Sequence, residues 1–506
     1  MDKNTDKLST RMSSIGLIAG PVIACALLFL GAPADMTELG QVDKLKSLPG
    51  AWVTLALLLL MAIWWVSEAV PIPVTSLLPL IVLPLFGVSS MATVAAPYMH
   101  PIVVLLLGGF IFAKAIEHWG LHERIALHVV ARAGNSPMAL IGGFMLAAAL
   151  LSMWISNTAT SIMMMPIALS VAAAVENGDG KSSRPFTLAL LLSIAYACSI
   201  GGLGTPIGTP TNLIVMGYLS EQSGVEISFS QWMMIGIPTV LVLLPLVWFA
   251  LTKWVFELPK SSAEGARAKV RNRLLEIGSI TVPEKRTLLV FVVIASLWMF
   301  RRPLNAWSFS IGGDIFQPLA GLSDHMTAIF AVLLCFIIPA GSADKRGAKL
   351  LSWKAAEEIP WGVLLLFGGG MSLAQAISST GLSAYIGSTL SMFASYPIPL
   401  LILLIAAFVL VLTEITSNIA TASALMPVIG ALAIQTDLPI EMMAAPLALA
   451  ASCAFMLPMA TGPNAVVFST GEVSLATMAK TGFRLNLIAL VVIVLVSYFL
   501  APIALG

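Results

Sequence analysis

The chain has 506 residues, 58% hydrophobic and 10% charged, with mean hydropathy +0.96 and formal net charge +1. Soluble globular domains carry about 25% charged residues, so an ordinary soluble protein is excluded, and the near-zero charge excludes a basic nucleic-acid surface. Apolar runs long enough to cross a bilayer recur along the whole length, which predicts an all-α polytopic membrane protein.

In chain order the spans fall near 15–31, 51–67, 72–89, 101–117, 137–175, 186–218, 232–256, 287–300, 326–340, 360–377, 398–436, 442–471 and 482–504. The first follows Lys3, Lys7 and Arg11 and ends near Gly31-Ala32-Pro33-Ala34, which has the small residues of a signal cleavage site. With so many later spans it reads instead as the first transmembrane helix. Lys and Arg collect at the N-terminus, at Arg124 and Arg132, in the linker 257–286, around Lys345, Arg346, Lys349 and Lys354, and at Lys480 and Arg484. These loops are therefore assigned to the cytoplasm, with the N-terminus. The intervening loop 219–231 has only Glu221 and Glu226, and 378–397 has no charge; Arg301 and Arg302 break the pattern.

The alternation works only if 137–175 and 398–436 turn back within the membrane. We therefore expect about 11 transmembrane helices plus two re-entrant hairpins. The half 1–256 holds the cytoplasmic-side hairpin 137–175, a cytoplasmic linker covers 257–286, and the half 287–506 holds the outside-facing hairpin 398–436. The two halves form an inverted repeat. At the middle of each hairpin the apolar run is interrupted, by Ser156-Asn157-Thr158-Ala159-Thr160 and by Ser417-Asn418-Ile419-Ala420-Thr421. One offset of 261 also pairs Gly108-Gly109 with Gly369-Gly370, Gly120-Leu121 with Gly381-Leu382, and Met165-Pro166 with Met426-Pro427. An offset of 252 pairs Gly208-Thr209-Pro210-Thr211-Asn212 with Ala460-Thr461-Gly462-Pro463-Asn464, each a predicted helix break.

Polar groups in lipid must line a cavity or hold something. Broken helices offer N-termini to anions and carbonyls to small cations, and neutral side-chain oxygens suit Na+. Single Ser, Thr and Gly residues more often serve helix packing; Asn157 and Asn418 are harder to assign that way, because a buried amide has four hydrogen-bonding demands. Glu414, three residues before Ser417, either supports a cation site, takes a proton or braces structure. Lys114 and Glu117 end the fourth span and read as snorkelling groups. Cys25, Cys198, Cys335 and Cys453 read as small core residues. The five histidines show no metal arrangement, and no nucleophile–base pair, metal cluster or nucleotide loop suggests an enzyme.

The two Ser-Asn tips, the run Gly201-Gly202-Leu203-Gly204-Thr205-Pro206-Ile207-Gly208-Thr209-Pro210 and the run Phe455-Met456-Leu457-Pro458-Met459-Ala460-Thr461 resemble the divalent anion/sodium symporter (DASS) family. Trp64 to Pro79 and Pro360 to Gly370 match as well, so the resemblance covers about residues 50–505. It implies one sodium site at Ser152, Ser156, Asn157 and the backbone near Gly204. A second is implied at Thr413, Ser417, Asn418 and the backbone at Ala460. Substrate contacts map to Asn157, Thr158, Asn418 and position 419, with Thr461 close by. The resemblance also implies a homodimer in the inner (plasma) membrane whose hairpins and broken helices move as an elevator against a scaffold. Departures are Ile419, where many members have Thr, and Thr211 and Gly462, where proline is usual. The expected function is a sodium-coupled symporter importing C4-dicarboxylates such as succinate, malate or fumarate. An exchanger without sodium coupling, or a carrier for citrate or sulfate, is the nearest alternative, and an ion channel or a membrane enzyme a more distant one.

Overall fold

The structure is a computed structural model that describes residues 3–31, 50–179, 184–223, 226–259, 264–311, 314–342, 347–390 and 395–505. Ala32–Ala34, Lys345 and Arg346 lie outside the described residues. The helices are α1 (Lys3–Leu30), α2 (Gly50–Ser67), α3 (Leu78–Leu85), α4 (Pro101–His118), α5 (Leu121–Ala131), α6 (Pro137–Ser152), α7 (Asn157–Asp179), α8 (Arg184–Gly202), α9 (Pro210–Ser223) and α10 (Phe229–Phe249). They continue with α11 (Glu264–Ile277), α12 (Val282–Met299), α13 (Asp324–Ile337), α14 (Trp361–Ser379), α15 (Leu382–Thr389), α16 (Ile398–Ile415), α17 (Asn418–Thr436), α18 (Ile440–Ala451), α19 (Gly462–Ser469) and α20 (Leu475–Phe499). Nine helical spans among the described residues are long and apolar enough to cross a membrane. The one sheet described is a two-stranded hairpin, Phe309–Ile311 against Asp314–Phe316, with Phe309 opposite Phe316.

The internal repeat is visible helix by helix: α4 to α10 recur in order as α14 to α20. Its punctuation recurs too. Gly120 and Gly381, which start α5 and α15, both have left-handed backbones, with φ of 67° and 78°. A side chain would strain either turn. Pro166 and Pro427 sit inside α7 and α17. Ser228 and Ser474 cap α10 and α20 through their hydroxyls.

Burial places the repeat mates α8 and α18 at the centre. In α8 89% of the span is buried, which leaves it facing protein on all sides. It packs against α6, α7 and α19, while α18 packs against α16, α17, α20 and α9. Both helices are rich in Ala and other small residues, which permits this crowding. At the other extreme, α1 packs mainly on α2 and exposes Ile15, Ile18, Val22 and Phe29. Cys25 is consequently exposed on this outer helix, unlike the buried Cys198, Cys335 and Cys453, so its expected core role is corrected.

The polar linker is built as a helix. α11 lies against α5 and α7, with Arg273 bound to Glu123 at 2.9 Å and Arg267 to Asn135 at 2.8 Å. Beside it, Arg124 of α5 reaches Glu284 Oε1 at 2.7 Å and Oε2 at 3.1 Å and donates to the carbonyl of Gly278 at 2.8 Å. At the opposite end of α4, His100 meets Glu221 at 3.0 Å. Arg301 there pairs with Glu226 at 2.9 Å and Asp324 at 3.3 Å, so the charge that broke the loop pattern is neutralised in place.

Candidate functional site

The tips of the two helical hairpins, Ser156 to Ala159 and Ser417 to Ala420, are the starts of α7 and α17. The first intrahelical bonds there are Thr160 N–H to Ser156 O and Thr421 N–H to Ser417 O, both 2.9 Å. The N–H groups of Asn157, Thr158, Ala159, Asn418, Ile419 and Ala420 precede them and have no helical acceptor. Beside the tips lie the two helix breaks, 203–209 between α8 and α9 and 452–461 between α18 and α19. Tips and breaks meet at one cavity of about 560 Å³. Ser156, Asn157, Thr158, Ser417, Asn418, Ile419, Ala460 and Thr461 all line it, as do Gly208 and Thr209. Ser152 and Thr413 lie behind the tips, fully buried.

Each break is tied by an asparagine in the same way. Asn212 Nδ2 donates to the carbonyls of Gly202 (3.0 Å) and Thr205 (2.8 Å); Asn464 Nδ2 donates to Ala454 and Leu457 (both 3.0 Å). Asn464 receives further support from Thr461, whose hydroxyl accepts its N–H at 3.2 Å. These bonds span the non-helical residues and hold the gap open at fixed width. Thr211 reaches across the repeat to Ser452 Oγ at 2.7 Å.

Behind the first tip is a cluster of oxygens around the space where Gly202 has no side chain. A Cβ there would stand 3.0 Å from both Oδ1 and Nδ2 of Asn157 and 3.2 Å from the Gly208 carbonyl; the corresponding point at Gly208 is 2.5 Å from Gly202 O and 3.0 Å from Ser152 O. Asn157 Oδ1 is buried without a donor among the described residues. Converging oxygen acceptors of this kind suit a small cation. Gly204 sits in the same break, but its carbonyl faces Gly236 of α10. Behind the second tip, Thr413 Oγ1 lies 2.7 Å from Asn418 Oδ1 and 3.0 Å from Ala451 O. One hydroxyl proton satisfies one of those acceptors and leaves the other for a cation. Both sets consist of neutral oxygens, the kind of ligand that suits Na+. The carbonyls of Gly202 and Ala451, which stand in these two clusters, were not among the residues expected from the sequence. Gly208 was within reach, because it is the mate of Ala460 at the 252 offset.

Glu414 has a structural task. Its carboxylate accepts from the backbone N–H groups of Phe455 (2.9 Å), Met456 (3.0 Å) and Leu457 (3.0 Å), and from Asn486 Nδ2 (2.7 Å). Its repeat mate is Met153, whose side chain has no carboxylate; instead the Met153 carbonyl accepts the hydroxyl of Thr205 in the first break. There the first break bonds to itself, Leu203 N–H to Ile200 O and Gly204 N–H to Gly201 O.

The two halves also touch directly. A Cβ on Gly462 would fall 1.9 Å from Thr158 Oγ1, so the absence of a side chain at 462 makes room for the hydroxyl of the opposite tip. The remaining cavity wall comes from α4, through Gly109, Phe110, Ala113, Lys114 and Glu117, and from residues 358–363. Lys114 and Glu117 therefore face the cavity and do not snorkel to a lipid interface. A cavity wall and a membrane interface call for the same long polar side chains.

The chain matches the family described as the sodium:sulfate symporter transmembrane region over residues 17–504. It is 41% identical to the sodium-dependent dicarboxylate transporter SdcS of Staphylococcus saprophyticus, over 97% of this chain and 92% of that protein. The SdcS of Staphylococcus aureus strain USA300 is 39% identical over the same shares. The fold resembles the YdaH transporter of Alcanivorax borkumensis, with a TM-score of 0.57 at 15% identity over 89% of this chain and 97% of that one. It also resembles MtrF of Neisseria gonorrhoeae, with a TM-score of 0.54 at 14% identity over 92% and 96%. The duplicated tips, the paired breaks and these matches together make the chain a member of the sodium:sulfate symporter family.

Proposed function

We propose that the protein is a sodium-coupled secondary carrier that imports C4-dicarboxylates such as succinate, malate or fumarate. One observation carries this reading. Two uncapped helix N-termini converge on one cavity, and each has an oxygen-rich pocket for a cation directly behind it. Helix N-termini attract carboxylates, and bound Na+ would supply the positive charge that the tips themselves lack. Relatives named as sodium-dependent dicarboxylate transporters support the same ion and substrate class. Na+ enters here as co-transported cargo.

In this reading the protein is a homodimer in the plasma membrane, with a cytoplasmic N-terminus and about 11 transmembrane helices. The pairs α6–α7 and α16–α17 are re-entrant. α6, with 16 residues, is about 24 Å long, short of a hydrocarbon core of about 30 Å. The cavity reaches the C-terminal end of α4, where Lys114, Glu117 and the exposed Glu358 line it, and Arg124, Lys349 and Lys354 lie in the segments that follow that end or pack on it. By the distribution of basic residues this end is cytoplasmic, so the state described is inward-open. Tips and breaks would then move as one body past the wall formed by α4 and α14.

Uptake of labelled succinate into proteoliposomes, with and without an inward Na+ gradient, tests the proposal. Equal uptake in both rejects symport, and uptake that needs internal substrate but ignores Na+ identifies an exchanger. Competition by citrate and sulfate then fixes the anion class.

A further inference from the structure

The cavity wall contains a cation that the tips and breaks do not use. Lys114 is the one Lys or Arg among the described residues that line the cavity. Its ammonium lies 3.0 Å from Glu358 Oε2 and 3.3 Å from Glu117 Oε2. These partners differ. Glu117 is on the same helix one turn away, whereas Glu358 belongs to the segment before α14 and its side chain is 63% exposed. The Glu358 contact is thus a solvated ion pair, weak enough to be exchanged.

Position allows the exchange. Gly109, which also lines the cavity, packs against Ile207 in the first break. Lys114 is about 7.5 Å farther along the axis at 1.5 Å per residue. Helical side chains lean back toward the N-terminus, which here means toward the tips, and a flexible four-carbon stem covers much of the gap. The tips offer backbone N–H donors but differ in their side-chain hydroxyls. Thr158 offers a hydroxyl at the first, but Ile419 offers none at the second.

We propose that Lys114 binds one carboxylate of the substrate in the inward-open cavity, exchanging Glu358 for it, and so sets dicarboxylate affinity on the cytoplasmic face alone. The proposal rests on the carrier reading above. Its sidedness follows from the repeat. Lys114 is on the wall, and its mate at the 261 offset is Gln375, an exposed neutral residue of α14. A cavity opened to the other side would therefore meet an amide where this one meets an ammonium.

The test uses right-side-out and inside-out membrane vesicles carrying the full-length protein, with labelled succinate and a Na+ gradient. Lys114→Gln is expected to raise KM about fivefold in inside-out vesicles, the scale of a solvated ion pair, with right-side-out KM unchanged. Lys114→Arg should keep the wild-type value. Glu358→Gln should lower the inside-out KM, because it removes the competing carboxylate; damage to the fold would not improve affinity. An unchanged inside-out KM for Lys114→Gln, or an equal rise on both faces, overturns the role given to Lys114. Absence of Na+-dependent succinate flux in the wild type would instead remove the carrier reading beneath it.

Discussion

Replacing Glu414 by alanine removes the acceptor for three consecutive backbone amides and for Asn486. A buried donor left without a partner costs about 1–3 kcal/mol, so the three amides alone set a range of about 3–9 kcal/mol. Phe455 is buried, but Met456 and Leu457 are half-buried, so the loss is not that of three fully buried amides, which favours the lower end, about 3–5 kcal/mol. Glu414→Gln keeps one accepting oxygen and turns an NH2 group toward the donors, so about half the loss is expected. The second break also carries Ala460 and Ala454, so its collapse should abolish sodium-dependent uptake while the first oxygen cluster persists. Equilibrium unfolding in mixed detergent, together with uptake at varied Na+, measures both effects. A Glu414→Ala protein within about 1 kcal/mol of wild type, with unchanged sodium dependence, would refute the bracing role.

Asn157→Ala and Asn418→Ala should each eliminate Na+-driven uptake in a protein that still purifies as a folded species; wild-type uptake in either would reduce the tips to packing features. Gly462→Ala should raise substrate KM by displacing the Thr158 hydroxyl, and the same change should have little further effect in a Thr158→Ala background. Additive effects in that double-mutant cycle would show that the contact is unimportant. Arg124→Ala strands the buried carboxylate of Glu284 and is expected to destabilise the protein by about 3–5 kcal/mol at neutral pH. Burial opposes the charge on Glu284, but the Arg124 and Thr281 donors outweigh it and hold the carboxyl below its usual range. Its stabilising contribution is therefore complete above the unfolded value of about 4.3 and is lost as pH falls through the folded value. Glu284→Gln should flatten the acid limb of a stability–pH curve, and an unaltered limb would argue against this linkage.

The repeat could be read in the sequence because it is carried by residues that lipid-facing helices rarely use: Ser-Asn pairs, Gly-Leu turns and internal Met-Pro steps. Their common offset of 261 survives in the helices, caps and prolines. The linker helix α11 was not legible, since its polar sequence has no apolar periodicity and its stability comes from contacts with α5 and α7. Glu414 was visible as an anomaly, but its backbone partners lie about forty residues away in a segment whose shape is defined by the break itself, and Asn486 is 72 residues away. Lys114 was misassigned for a related reason. Its side chain faces a cavity that only the assembled halves create.

Arg124 also bears on how the chain is assembled during synthesis. Its counter-charge, Glu284, is 160 residues downstream, and at 5–20 residues per second that interval is about 8–30 s. Through that time the guanidinium on α5 has no carboxylate from α12 to meet, and burying it alone would be costly. α5 therefore cannot take its final seat beside the first hairpin until the linker and the start of α12 have been made. The first half of the protein is held unfinished at this corner until the second half begins.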